Sequence, residues 1–234
     1  LVDGKVADVG DGPGTPSAGA TVVDGAGGFV TPGIIDAHSH MGVFPLPGTV
    51  DNDDGNEAVR PLTAYVSAEN SFWPQDPALT RAVSSGVTTI QVLPGSANLI
   101  GGRTFVAKLK IGRSAREMKF PGAPAGVKMA CGENPKRNYR ERGGPATRMG
   151  NVAGFRKAFQ EATEYRRRWA KYRRDLELWK AKLARVQARD ADEKARHDEE
   201  PGPVDPPEPP ARDFELETLA DVIDGKLLVH DHCY

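Results

Sequence analysis

The sequence predicts an α/β fold in which strands and helices alternate along the chain, and three observations carry the prediction. Residues 30 to 40, Val-Thr-Pro-Gly-Ile-Ile-Asp-Ala-His-Ser-His, read as one buried β-strand. Pro32-Gly33 mark the turn into it, and Ile34-Ile35 give the continuous apolar run of a parallel strand covered on both faces. Residues 76 to 86 read as a helix, with Leu79, Ala82 and Val83 on one face and Gly86 as its stop. Residues 87 to 93, Val-Thr-Thr-Ile-Gln-Val-Leu, follow as a β-branched strand closed by Pro94-Gly95. Strand, helix, strand is the repeating unit of a parallel α/β fold. At 234 residues and 38% hydrophobic, the chain can bury a real core as one large domain or two small ones.

The first strand ends in chemistry. Successive side chains of a strand point to opposite faces, so Asp36, His38 and His40 share one face and Ala37 and Ser39 the other. Two imidazoles therefore converge on one point at the carboxyl end of a strand, where a TIM-type barrel keeps its site. A bare His-x-His is weak evidence. The whole of residues 21 to 40, with its Pro-Gly-Ile-Ile-Asp prefix, is far more specific and resembles the opening of the metal-dependent amidohydrolase superfamily, in the branch of imidazolonepropionase-like and prolidase-like enzymes.

That resemblance implies a partial TIM (β/α)8 barrel of about the first five strands, with a small N-terminal β-sandwich piece and a long helical insertion. Residues 1–30 would be the sandwich piece, with short strands around the Asp3-Gly4 turn and at residues 20 to 24. Residues 31–154 would hold the first barrel strands and helices. The loop from Met41 to Pro61, with Asp51, Asp53, Asp54 and Glu57, reads as a solvated surface loop, since no ligand spacing is evident. Gly101-Gly102 could let the backbone approach a ligand or could equally be a plain loop. Residues 104 to 110 read as a strand by alternation, and residues 125 to 131, Ala-Gly-Val-Lys-Met-Ala-Cys, as another.

Lys128 stands in the middle of that apolar strand, where a charge is costly unless something uses or neutralises it. In the resembling enzymes a similar strand carries a lysine whose amine has reacted with carbon dioxide, and the carbamate serves as an anionic metal ligand. Glu133 here occupies the place of that motif's second glycine. Lys128 ranks first and Glu133 second as the strand's ligand, against a snorkelling lysine, an exposed loop carboxylate and, for Cys131, a small buried apolar group.

From Phe155 to Glu199 the chain changes character. Phe155, Ala158, Ala162, Tyr165, Trp169, Tyr172, Leu176, Trp179, Leu183 and Val186 recur in steps of three and four, a heptad-like stripe on one long helix. The segment holds 14 Lys plus Arg against 9 Asp plus Glu. Its aromatics lie on the stripe and its charges on the solvated face, which favours packing over nucleic-acid binding. The partner of the stripe is a second helix, the barrel wall or another copy of the chain, so a homo-oligomer through 155–199 stays open. Residues 200–212, with six prolines between 201 and 210, form a stiff extended linker. Residues 213–234 give a short helix capped by Asp213 and stopped by Gly225, then the strand Leu227-Leu-Val-His-Asp-His232.

In that last strand Leu228, His230 and His232 share a face. By resemblance it is the fifth barrel strand, His230 is a metal ligand and His232 faces substrate. The resulting ligand set is His38, His40, Lys128 as carbamate, and His230, holding one or two divalent ions, with zinc best suited to imidazole and oxygen donors. The reaction implied is hydrolysis of carbon–nitrogen bonds other than ordinary peptide bonds, in small cyclic-amide or dipeptide-like substrates. A deaminase using the same site, or a helical interaction module on a vestigial barrel, are the alternatives. The family's histidine on strand six and general-base aspartate on strand eight have no counterpart, so the sequence reads as a fragment inactive alone.

Bulk properties narrow the rest. A net charge of -1 gives no basic field for nucleic acid or anionic membrane, and no apolar run approaches the roughly 20 residues that span a bilayer. Two cysteines, Cys131 and Cys233, argue against a disulfide scaffold and leave the compartment open.

Overall fold

The computed structural model describes residues 1–12, 14–192 and 205–233, with the side chains of the long helix described as far as Val186. The chain divides into Leu1–Pro32 and Gly33–Tyr234.

Leu1–Pro32 differs from the expected sandwich piece. Its described residues are exposed throughout and hold no strand. The Asp3-Gly4 turn does form, closed by a two-residue bridge between Val2 and Lys5. The β-branched residues Val22 and Val23 stay at 71% and 85% exposure. Strand propensity without a neighbouring strand does not make a strand, because an isolated pair is marginal in water.

Gly33–Tyr234 is built on strands β1 (Ile34–Ser39), β2 (Val87–Val92), β3 (Ile100–Lys108), β4 (Gly126–Ala130) and β5 (Leu228–His232). They form one sheet in the order β1-β2-β3-β4-β5. β1 pairs with β2 in parallel and β4 with β5 in parallel, but β3 runs antiparallel to both its neighbours. The expectation of successive parallel barrel strands is thus corrected to a curled, mixed half-barrel. The connection from Val92 to Ile100 is the reason: it is too short for the dozen or so residues that a parallel crossover needs. Among the described residues β1 and β5 are the outer strands of the sheet, and Ile34 and Ile35, expected to be covered on both faces, are 55% and 69% exposed.

The helices are α1 (Ala68–Ser71), α2 (Pro77–Ser84), α3 (Ala115–Met118), α4 (Glu133–Tyr139), α5 (Arg148–Asp192) and α6 (Phe214–Ile223). Asp76 caps α2 by accepting from the Ala78 N–H, Pro77 opens it, and Asp213 caps α6 by accepting from the N–H groups of Glu215 and Leu216. Two apolar clusters hold the layers together. One gathers Phe72, Leu79, Ile90, Phe105 and Met118 between β2, β3 and α1 to α3. The other gathers Ile100, Val127, Met129, Ala158, Ala162 and Leu219 between β3, β4, α5 and α6.

The long helix starts seven residues before its expected beginning at Phe155. Gly150 and Gly154 argue locally against helix, but packing overrides them: a Cβ at Gly154 would lie 2.5 Å from Leu99 Cδ2. Buried Asn151 in the same turn donates to the carbonyls of Cys131 and Gly132, pinning the helix start to the end of β4. Further along, Tyr165, Trp169 and Tyr172 stack edge-to-face, and Tyr165 donates its hydroxyl to Glu217 of α6. The expected continuation to Glu199 and the start of the proline-rich linker lie outside the described residues, and none of the described helices is long and apolar enough to cross a membrane.

Candidate metal centre

The sheet brings the histidines of its two edges together. His38 of β1 places Nε2 3.2 Å from Lys128 Nζ of β4 and Nδ1 3.1 Å from His230 Nε2 of β5. Lys128 and His230 are register partners on adjacent parallel strands, so both side chains rise on the same side of the sheet. His40 and His232 complete the group, with ring centroids 5.2 Å and 5.5 Å from that of His38.

Each member is fixed by its surroundings. Lys128 is 0% exposed, which rules out a lysine snorkelling to solvent from the strand end. His40 lies just beyond β1 and donates Nδ1–H to the Leu93 carbonyl at 2.9 Å. That bond fixes the tautomer and leaves Nε2 with a free lone pair, the arrangement in which an imidazole can ligate a metal through its other nitrogen. The His38 N–H donates to Asp36 Oδ1 at 3.1 Å, which tightens the end of β1.

The electrostatics favour neutral bases. Desolvation, and then the neighbouring Lys128 charge, push the His38 pKa down to about 4. Burial likewise lowers His40, His230 and His232, with Lys128 adding to the effect in each and the Leu93 carbonyl opposing it at His40. Desolvation takes Lys128 down to about 8, against the opposing pull of the Asp231 carboxylate. Neutral imidazoles are the form that ligates metal. An amine pushed toward neutrality is also the form that reacts with carbon dioxide.

Glu133 is not brought into this group. It is the exposed first residue of α4, beside Lys136 and Arg137 in a surface groove. The strand ends after Ala130 and the chain turns away at Gly132, so a side chain at 133 starts a helix instead of continuing the strand's inward face. Sequence reasoning also missed the Leu93 carbonyl and Asn151. A backbone acceptor carries no sequence signal, and an asparagine three residues ahead of a glycine reads as loop.

Cys131, for which a small buried apolar group is one reading of the sequence, is half-buried and bonded to Cys233 across the ends of β4 and β5. With Asp231 they make a compact group of potential ligand atoms, but the paired sulfurs supply no thiolate.

No family model matches the chain. It is 36% identical over 225 residues to the amidohydrolase tasK of Hapsidospora irregularis, a match that covers 92% of this chain and 21% of that protein. Its fold is similar to the crystal structure of an amidohydrolase from Thermotoga maritima, with a TM-score of 0.73 and 34% identity over 99% of this chain and 52% of that one. The chain therefore spans about half of the one relative and about a fifth of the other, and what it is similar to, in sequence and in fold alike, is the amidohydrolases.

Proposed function

We propose that these residues form part of the metal site of a hydrolase acting on carbon–nitrogen bonds other than ordinary peptide bonds, with small cyclic-amide or dipeptide-like molecules as substrates. The observation that supports it best is the contact chain Lys128 Nζ, His38, His230 Nε2, in which three strands deliver basic nitrogens to one point at 3.2 Å and 3.1 Å. Burying an amine among imidazoles destabilises the fold unless a ligand uses it.

The donor set suits a divalent ion, with zinc as the natural choice for imidazoles and one anionic oxygen. His38, His40 through Nε2, and His230 would hold it. Lys128, by adding carbon dioxide at Nζ and losing a proton, becomes a carbamate that supplies the negative charge the cluster otherwise lacks. When bound, such an ion brings the pKa of water to about 7 and polarises a carbonyl. Leu93 keeps the His40 ring in orientation throughout, and His232 faces the substrate. The histidine and aspartate that the resemblance assigns to later strands are not among these residues, so turnover belongs to a site that includes them.

Metal binding tests the reading directly. Zinc should bind the purified chain in bicarbonate buffer, and mass analysis should show a gain of about 44 Da on the peptide holding Lys128, the mass of one carbon dioxide. His38→Ala and Lys128→Ala should each abolish tight binding. A chain that takes up no zinc and no carbon dioxide ends the proposal.

A further inference from the structure

The carboxyl ends of β4 and β5 carry a sulfur pair that the metal reading leaves unused. Ala130 and His232 are register partners, so the parallel ladder sets the residues that follow them, Cys131 and Cys233, side by side. The Cys131 N–H donates to the His232 carbonyl at 3.3 Å, and the two Cα atoms are 4.9 Å apart, inside the range of about 4.4–6.8 Å that a disulfide requires. Strand alternation turns these sulfurs to the face opposite Lys128, His230 and His232. Cys131 is half-buried and Cys233 exposed, so small reagents can reach the bond.

Among the described residues β5 pairs with β4 alone, and Leu228 and Val229 are 57% and 46% exposed. The bridge ties it across a sequence separation of 102 residues, a loop that contains the whole of α4, α5 and α6. A cross-link over so long a loop removes much of the freedom that β5 would otherwise regain on opening.

We propose that Cys131 and Cys233 form a reversible redox clasp that controls how firmly β5, and with it His230, stays docked on β4. The exchange partner is a small-molecule thiol–disulfide couple of the glutathione type. On oxidation, one cysteine attacks the reagent disulfide and releases one reagent thiol. The other cysteine then resolves the mixed disulfide and releases a second. Two electrons pass from the cysteine sulfurs to the reagent, and the two thiol protons end on the released thiols. The consequence for metal retention rests on the function proposed above, whereas the clasp itself does not.

The test uses the full chain, metal-free, equilibrated with reduced and oxidised glutathione at graded ratios and then alkylated. Mass analysis should find molecules carrying zero or two adducts, with the balance following the ratio. Amide hydrogen exchange in residues 229 to 233 should speed up by roughly tenfold or more on reduction while β2 and β3 stay unchanged. Cys131→Ser should show the fast β5 exchange without reductant. Two free thiols at every ratio, or β5 exchange that is equal in both states, overturns the clasp. Neither readout involves zinc, so a chain that binds no metal but shows this transition removes the proposed function and keeps the clasp.

Discussion

The Nε2 of His230 lies 3.1 Å from the Nδ1 of His38, although β1 and β5 stand at opposite ends of the sheet order and 192 residues apart in sequence. Five flat strands at the usual spacing would separate those edges by about 19 Å. The contact therefore measures the curl of the sheet. The same curl brings Lys128 and His230 to the two ring nitrogens of His38, so the curvature of the sheet and the gathering of these side chains are one geometric fact.

Because the ring pKa values in this cluster are lowered, the metal-free chain should lose stability in mild acid. The sign follows from proton counting. Between about 6.5, the ordinary histidine value, and about 4, the folded value of His38, the unfolded chain binds a proton that the folded chain refuses. Stability from this ring is complete above that window and is lost as pH falls through it, and His40, His230 and His232 act in the same direction. Lys128 behaves likewise higher up: stability should rise with pH from about 8 to 10.5. Thermal melts at graded pH should show both slopes, and His38→Gln should flatten the acid one. A melt independent of pH between 4 and 6.5 would show that the rings are not held neutral.

Replacing Lys128 with methionine separates its two roles. The side chain is wholly buried, and methionine keeps the stem's volume without an amine to desolvate. Metal-free Lys128→Met should therefore melt no lower than the parent, and about 1–3 kcal/mol of gain is reasonable for removing a buried, imperfectly satisfied polar group. Zinc affinity, in contrast, should fall by a factor of about 100 or more if Lys128 is the anionic donor proposed above. Calorimetry and zinc titration on the same samples give both numbers. A destabilised variant with full zinc affinity would assign Lys128 to the fold alone.

These readings show which parts of the molecule a sequence discloses. The strand period of two is local, so Asp36, His38, His40 and later His230 and His232 could be placed on common faces from spacing alone. Lys128 stood out because the apolar residues around it, Val127, Met129 and Ala130, leave a charge no local partner. Strand direction is another matter. Residues 104 to 110 alternate equally well for either ladder, and it is the short link from Val92 to Ile100 that makes β3, at Ile100–Lys108, antiparallel. The early start of α5 was hidden for a related reason: Gly154 is there to admit Leu99, a contact 55 residues away that no local window contains. Glu133 stands outside the histidine group because a motif resemblance fixes order along the chain but not the point at which a strand gives way to a helix.

Gly102 shows what the Gly101-Gly102 pair does, which the sequence left open. It sits inside β3 with φ of +114°, at a register shift against β4, and a Cβ there would fall 2.7 Å from the Val66 carbonyl oxygen. The glycine thus lets β3 pass close to the chain's own backbone at Val66. Gly102→Ala should cost about 2–4 kcal/mol, because both the left-handed backbone and the collision with main chain oppose it. Gly122→Ala, at φ of +72° with nothing within 4 Å, should cost only about 1 kcal/mol. Urea titrations of the two variants should rank them in that order, and equal losses would mean that the Val66 contact relaxes freely.

Asp76 carries the final prediction, because it holds the chain just beyond the histidines. Its carboxylate is 1% exposed and accepts from three backbone N–H groups: Gly42 at 2.8 Å, Leu46 at 3.2 Å and Ala78 at 2.9 Å. The last is the cap of α2, and the first two belong to the loop that leaves His40. Asp76→Ala removes all three acceptors from a buried place and should cost about 3 kcal/mol, the sum expected of a lost cap and of stranded donors. Asp76→Asn keeps one carbonyl oxygen but sets an amide NH2 against another N–H, so it should recover only part of that loss. Since the loop from Met41 follows His40 directly, both variants should also weaken zinc binding, but less than His40→Ala does. Urea unfolding and zinc titration check the two orders separately. If Asp76→Ala unfolds within about 0.5 kcal/mol of the parent, the range of an ordinary surface change, the carboxylate is not what fixes the loop behind the site.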